Sequence, residues 1–315
     1  MMCELKEWIL QAIPDERIPQ EIVSAQMCAT VPGDITDELM KYGLIEDIQY
    51  ADNYLKYLWI NQVRWEYSCL FHVSREMLLQ DRLFLHFGGI DTFADIYVND
   101  ILLCQTEDMF LAYDVDIKEQ AREGTNQLRV VIKPIHEFLT DVEGQYFGAF
   151  NSERLLVRKA QCHFGWDWAP EFQGGGLWDS VCLVACSNRA IEWVRIRTRA
   201  DGTVTFFPEL NYSIRRDEFA IYKEDKLRIR VFDGDACVVF QEFPITGYRN
   251  FCNVTIPNPK LWYPNGYGEA PLYQYTVEIV AQEGFTADLY RGSFGIREVR
   301  FDESPNGRDR LEFRA

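Results

Sequence analysis

The residues with the most chemical promise lie between Arg158 and Pro170, which read Arg-Lys-Ala-Gln-Cys-His-Phe-Gly-Trp-Asp-Trp-Ala-Pro. Trp166, Asp167 and Trp168 together suit a sugar. An indole face covers the C–H side of a pyranose ring. An ionised carboxylate accepts from two neighbouring hydroxyls, and such charge-assisted bonds are the strong ones. A regular strand would send Trp166 and Trp168 one way and Asp167 the other. Gly165 and Pro170 favour a bend in which the three converge. On spacing alone another arrangement has the stronger claim: two indoles anchored in a core, with Asp167 capping a turn.

Other candidates carry less. His72, His86 and His136 are isolated in the sequence. The run Gly174-Gly175-Gly176 is followed by neither Lys-Ser/Thr nor a helix, so it is no phosphate loop. The nine cysteines form no Cys-x-x-Cys pair. Cys182 and Cys186 would stand about 13 Å apart along a strand, too far to share one metal well. No metal and no cofactor are expected. Asp37, Glu38, Asp95 and Asp100 read as caps or solvated surface, so no catalytic pair is expected among them. Arg189, Arg195, Arg197 and Arg199 alternate and read as a solvated strand face.

The charge balance narrows the partners. The 315 residues hold 32 Lys plus Arg against 49 Asp plus Glu, a net charge of −17. Binding a phosphate backbone requires clustered cations, so nucleic acid is excluded as a partner, and an anionic membrane surface with it. Neutral partners such as sugars remain. The first residues, MMCELKEWILQAIPDERIP, are not a basic leader with an apolar core. No run approaches the roughly 18 apolar residues of a membrane span. Nine scattered cysteines, an odd number, predict free thiols and a reducing cytoplasm. The sequon at Asn253 is then a chance match.

The elements that position the Trp-Asp-Trp segment are mostly strands. The length gives a soft prior of about two domains. Asp34 to Leu44 predicts a short helix, started by Asp34 and stopped by Gly43. Trp65, Tyr67, Cys69, Phe71 and Val73 then alternate with mostly polar residues. Leu83, Leu85 and Phe87 follow, then Ala94, Ile96 and Val98, with a tight turn at Asn99-Asp100. Leu128 to Ile132 and Leu177 to Ala185 are further strands, and Tyr146 to Pro170 between them has no clean period. Long irregular segments in compact domains are usually functional or disordered, and the aromatics here oppose disorder. A boundary is expected near Ser187 to Arg189. Beyond it, hairpins at Ala200-Asp201-Gly202 and Asp233-Gly234-Asp235, and a strand over Leu272 to Val280, predict an immunoglobulin-like sandwich. The last residues end in a strand-like stretch, which reads as a piece of a longer chain.

The segment from His163 to Pro170 resembles the His-x-Gly-Trp-Asp-Trp-Gly-Pro signature of β-mannosidases in glycoside hydrolase family 2, with Ala169 where the family has Gly. Three further segments carry the resemblance. Thr30 to Gly33 through Ile45, then Asp52-Asn53 to Tyr67, match the family's opening. Leu85-His86-Phe87-Gly88-Gly89-Ile90-Asp91-Thr92-Phe93-Ala94-Asp95-Ile96-Tyr97-Val98-Asn99 matches its jelly-roll sugar-binding domain. Leu261 to Gly268 and Ser293 to Arg297 match its immunoglobulin-like domain and the entry into its barrel.

The resemblance implies an all-β fold: a galactose-binding-like jelly roll over 1–187, an immunoglobulin-like β-sandwich over 188–292, and the start of a link into a TIM barrel over 293–315. It implies two catalytic glutamates on that barrel, in the retaining arrangement. None can be carried over to this chain, which alone is expected to be inactive. By position Trp166 and Asp167 would contact the terminal mannose of a β-mannoside oligosaccharide. His163, Trp168, Arg158 and Lys159 would support the loop, the last two also reading as an ion pair within it. The missing barrel is the implied partner. The rival readings are another family 2 exo-glycosidase, a β-galactosidase or β-glucuronidase, and a free-standing carbohydrate-binding module.

Overall fold

The structure is a computed structural model that describes residues 1–139, 153–211, 221–302 and 310–314. The chain divides into two compact units, Met1–Cys186 and Ser187–Ala315.

The first unit holds β1 (Met2–Glu4), β2 (Trp8–Ala12), β3 (Met27–Ala29), β4 (Trp65–Val73), β5 (Arg82–Phe87) and β6 (Phe93–Val98). It continues with β7 (Ile101–Thr106), β8 (Tyr113–Asp116), β9 (Gly124–Lys133), β10 (Phe164–Trp166), β11 (Ala169–Glu171) and β12 (Val181–Cys186). One sheet runs β3-β2-β4-β9-β6-β7, the other β1-β12-β5-β8, and β10 pairs with β11 alone. The alternation in sequence becomes the core. Trp65, Tyr67, Cys69, Phe71 and Val73 of β4 are buried, as are Leu83, Leu85 and Phe87 of β5 and Ala94, Ile96 and Val98 of β6. Period two sends these side chains to one face, where the sheets meet. Asn99 and Asp100 take φ of 49° and 66°, the positive values a tight primed hairpin turn requires. Glu66 departs from the pattern: it is buried, its carboxylate 3.0 Å from Arg129 Nε.

The helix forms over Ile35–Lys41. Asp34 caps it, accepting from the Thr36 N–H at 2.7 Å. The same carboxylate accepts from the Gly175 N–H at 2.8 Å. Burial pushes the Asp34 carboxyl up, against those two bonds. The glycine run is thereby tied down along its length. Gly174 N–H donates to Asn61 Oδ1 at 3.0 Å, and Gly175 C=O accepts from Ile35 N–H at 3.0 Å. Gly176 and Asp91 exchange both backbone bonds, at 2.9 and 3.1 Å. These cross-links replace a continuous ladder, so β12 begins at Val181, later than the Leu177 that the apolar run suggests.

The irregular stretch holds more order than its sequence shows. Its portion from Tyr146 to residue 152 lies outside the described residues. Beyond that, β10 and β11 form an antiparallel hairpin with Phe164 opposite Glu171 and Trp166 opposite Ala169. The pairing is too short to produce a visible period.

In the second unit β13 (Ile191–Thr198), β14 (Thr203–Leu210) and β17 (Cys252–Thr255) form one sheet. The strands β15 (Lys226–Asp233), β16 (Ala236–Pro244), β18 (Tyr273–Val280) and β19 (Thr286–Phe294) form another, ordered β16-β15-β18-β19. Val204, Phe206, Leu227, Ile229, Val277 and Ile279 are fully buried in its core. Both expected hairpins are present. Arg195, Arg197 and Arg199 are exposed along one edge of the alternation, as expected, with Arg195 over the Phe207 ring at 4.4 Å. Arg189 departs from the series: it precedes β13 and pairs with Asp225 at 2.9 Å. A final pair, β20 (Glu298–Asp302) and β21 (Arg310–Arg314), is antiparallel.

Gly176 tests the cross-linked run. A Cβ there would stand 2.7 Å from the Gly33 carbonyl oxygen and 2.9 Å from the Tyr67 hydroxyl. Gly176→Ala is expected to destabilise the first unit by about 1–3 kcal/mol through overpacking. Gly247→Ala, whose Cβ meets nothing nearer than 3.9 Å, should stay within about 0.5 kcal/mol. Urea unfolding of both variants decides it, and equal midpoints would contradict the tight fit at Gly176.

Candidate functional site

Asp167 and Trp168 occupy the two-residue tip of the β10–β11 hairpin, and Trp166 ends its first strand. Gly165 takes φ of 86°, a left-handed conformation that glycine adopts at no steric cost. Its place between buried Phe164 and exposed Trp166 lets the chain turn outward. Trp166 is 38% exposed and Trp168 70%, and Asp167 is exposed as well. Two core-anchored indoles are therefore not the arrangement. Two exposed indoles on one short hairpin are an unusual amount of apolar surface for a loop to leave uncovered.

What holds the hairpin is underneath it. Phe164 is fully buried in a small cluster with Phe93, Ile135 and Val157. Lys159 ion-pairs with Asp91, the two side chains being only 1% and 7% exposed. Burial pulls the Lys159 ammonium down, while the Asp91 carboxylate opposes the shift. His163 Nδ1 lies 3.8 Å from the same Asp91 oxygen, too far for a hydrogen bond. Burial, then the Lys159 charge, hold the imidazole below its ordinary value, so it is neutral near pH 7 and the contact is not an ion pair. The Arg154 guanidinium sits 5.2 Å from the Trp166 ring centre, a cation–π contact.

The residues singled out in the sequence thus separate. Trp166, Asp167 and Trp168 stand together outside. Lys159 is buried beneath them, with half-buried His163 beside it. Arg158 belongs to neither: its backbone bridges to Asp108, and its mostly exposed side chain reaches the Asp108 carboxylate at 3.3 Å. Lys159 and Arg158 therefore pair outside the loop, with Asp91 and Asp108, not within it. Trp168 is mostly exposed, whereas Phe164 is fully buried beneath the hairpin. Asp91 and Phe164 carried no role in the sequence reading. Asp91 is the one acid in the otherwise apolar and small-residue run from Phe87 to Phe93, which is the signal that could have found it.

Among the described residues no group of three His, Cys, Asp or Glu is placed to hold a metal. None of the nine cysteines is in a disulfide. No helix among the described residues is long and apolar enough to cross a membrane.

Fold and site together define a class: two successive all-β sandwiches, the first carrying an exposed aromatic–carboxylate hairpin. The family description "Glycosyl hydrolase 2 galactose-binding domain-like" matches residues 8–179, and "Glycosyl hydrolases family 2" matches residues 191–297. The chain belongs to glycosyl hydrolase family 2. It is 27% identical over 295 residues to β-mannosidase B of Aspergillus clavatus, covering 88% of this chain and 33% of that relative. The crystal structure of β-D-mannosidase from Dictyoglomus thermophilum superposes with a TM-score of 0.81 at 30% identity, covering 99% of this chain and 38% of that one. An exo-chitosanase from Amycolatopsis orientalis, at 16% identity and a TM-score of 0.68, shares the fold over 99% of this chain and 36% of its own. The chain spans about a third of the length of the curated relatives it matches.

The neutral His163 yields a pH dependence. Its folded-state pKa lies below the ordinary 6.5, so the unfolded chain binds the proton more readily. Stability from this group is complete above about pH 6.5 and falls as pH drops below it. His163→Gln should remove that part of the slope. Unfolding of both proteins between about pH 8 and 5 checks it; parallel curves would mean that His163 titrates normally.

Proposed function

We propose that this chain is the non-catalytic N-terminal part of a retaining β-mannosidase, which removes terminal non-reducing β-D-mannose from oligosaccharides. The observation that carries the reading is the outward Trp166-Asp167-Trp168 hairpin on a family 2 sandwich. An exo-acting pocket must close over the hydroxyls of the terminal sugar distal to the cleaved bond. Asp167 has the chemistry for this: an ionised carboxylate is acceptor-only and takes two hydroxyl donors at once. Trp166 lends an apolar ring beside it, steadied by Arg154. Trp168 offers the larger open face, to the sugar or to the domain opposite.

The two carboxylates of the reaction are expected on the barrel that the longer relatives have room for. One protonates the leaving oxygen and the other attacks the anomeric carbon. This chain then supplies recognition and support, not chemistry. The free thiols, three of them exposed, favour a reducing cytoplasm.

The test is steady-state hydrolysis of a β-mannoside by the protein that carries this chain together with its barrel. Hydrogen bonds to a charged group contribute roughly 1.5–3 kcal/mol, so Asp167→Ala should lower kcat/KM about 10- to 150-fold. The melting temperature should hardly move, because the residue is exposed at a hairpin tip. A variant that melts many degrees lower with unchanged kinetics would make Asp167 a structural cap. Micromolar binding of mannose to this chain by itself would favour a free-standing binding module.

A further inference from the structure

We infer that Asp91 is the positioning residue of the hairpin: through the Lys159 ammonium it sets where Trp166, Asp167 and Trp168 stand, and so whether the terminal sugar is held. The inference rests on the reading of the hairpin as the sugar-contacting element.

Asp91 touches the hairpin-bearing segment on both sides. Before the hairpin, its Oδ2 takes the Lys159 ammonium and lies 3.8 Å from His163 Nδ1. After the hairpin, its backbone N–H and C=O make both bonds to Gly176, at 2.9 and 3.1 Å. Its Oδ1 accepts from the Thr92 hydroxyl, which fixes the carboxylate plane. One residue at the entry to β6 therefore clamps residues 159 and 176, and the hairpin emerges between them. Its ladder is two residue pairs long, and of its tip and first strand only Phe164 and Gly165 are buried.

The chemistry of the clamp favours geometry over stability. Burying two charges costs several kcal/mol each, and apolar residues of similar volume often serve as well or better. An apolar pair is held by packing alone, however, whereas an ammonium at a buried, oriented carboxylate is also held at hydrogen-bond distance. A misplacement of about 1 Å at a binding group can cost on the order of a hundredfold in rate. A carboxylate that must meet two sugar hydroxyls has that sensitivity.

The experiment compares Asp91→Leu/Lys159→Met, which removes the charges together and leaves neither unpaired, with Asp91→Asn. In the 315-residue chain, amide hydrogen exchange is measured for β10 and β11 and for the core strands β4 and β9. At least tenfold faster exchange in the hairpin is expected, with β4 and β9 within twofold of the parent. In the protein with its barrel, the double variant should lose at least tenfold in kcat/KM on a β-mannoside, and Asp91→Asn less. Adding Asp167→Ala to the double variant should cost little more, because both act on one contact. Full additivity, or unchanged hairpin exchange, would overturn the inference. Loosened exchange with a kinetically silent Asp167→Ala would support the clamp and overturn only the sugar reading. If the double variant does not fold, Asp91→Asn decides by the same two measurements, since it keeps the shape and one acceptor.

Discussion

A carboxylate buried where an apolar sandwich would otherwise run on, that of Asp91, is the point to which the segment bearing the β10–β11 hairpin is tied. Its desolvation is tolerable only because Lys159 reaches it, Thr92 donates to it, and its backbone is fully bonded to Gly176. Remove the lysine and the charge is stranded in low dielectric, a loss of roughly 3–5 kcal/mol for a buried pair. The glycine run passes beside this point: a Cβ on Gly175 would stand 3.1 Å from the Asp91 carbonyl oxygen, and one on Gly176 2.7 Å from that of Gly33.

From that point outward the structure passes from fixed to exposed within a few residues. Lys159 is buried, His163 is half-buried and neutral, Phe164 is buried in a satellite cluster, and the chain then turns out at Gly165. The hairpin tip is left with aromatic area and one carboxylate facing solvent. The strands are short, but the segment is bonded to Asp91 on both flanks. A loop held at one flank only would pay more conformational entropy on binding a ligand.

Both units carry charge across neighbouring strands. In the first, Arg129 bridges Glu66 and Asp100, and Lys133 pairs with Asp95. In the second, Arg228 and Arg230 form a lattice with Glu242 and Glu278 across neighbouring strands of one sheet. Such cross-strand pairs steady register and add a few tenths to about 1 kcal/mol each. The strongly acidic chain keeps its cations bonded to its own carboxylates there, which fits a neutral partner better than an anionic one.

Period-two alternation alone determined that β4, β5 and β6 are strands and which of their faces is buried, because the pleat offers a side chain two directions only. Turn residues such as Asn99-Asp100 and Asp233-Gly234-Asp235 placed hairpins for the same local reason. The composition of the Trp-Asp-Trp segment showed its chemistry, and its likeness to a family signature showed the family. Which way the indoles face was beyond the sequence, since spacing alone favoured a core. Tertiary structure decided it through Gly165 and through burial of Phe164 in place of the tryptophans. It also decided the partner of Lys159. Asp91 lies 68 positions earlier in the chain. A contact of that separation is set by how the sheets stack, and no local pattern of residues encodes it.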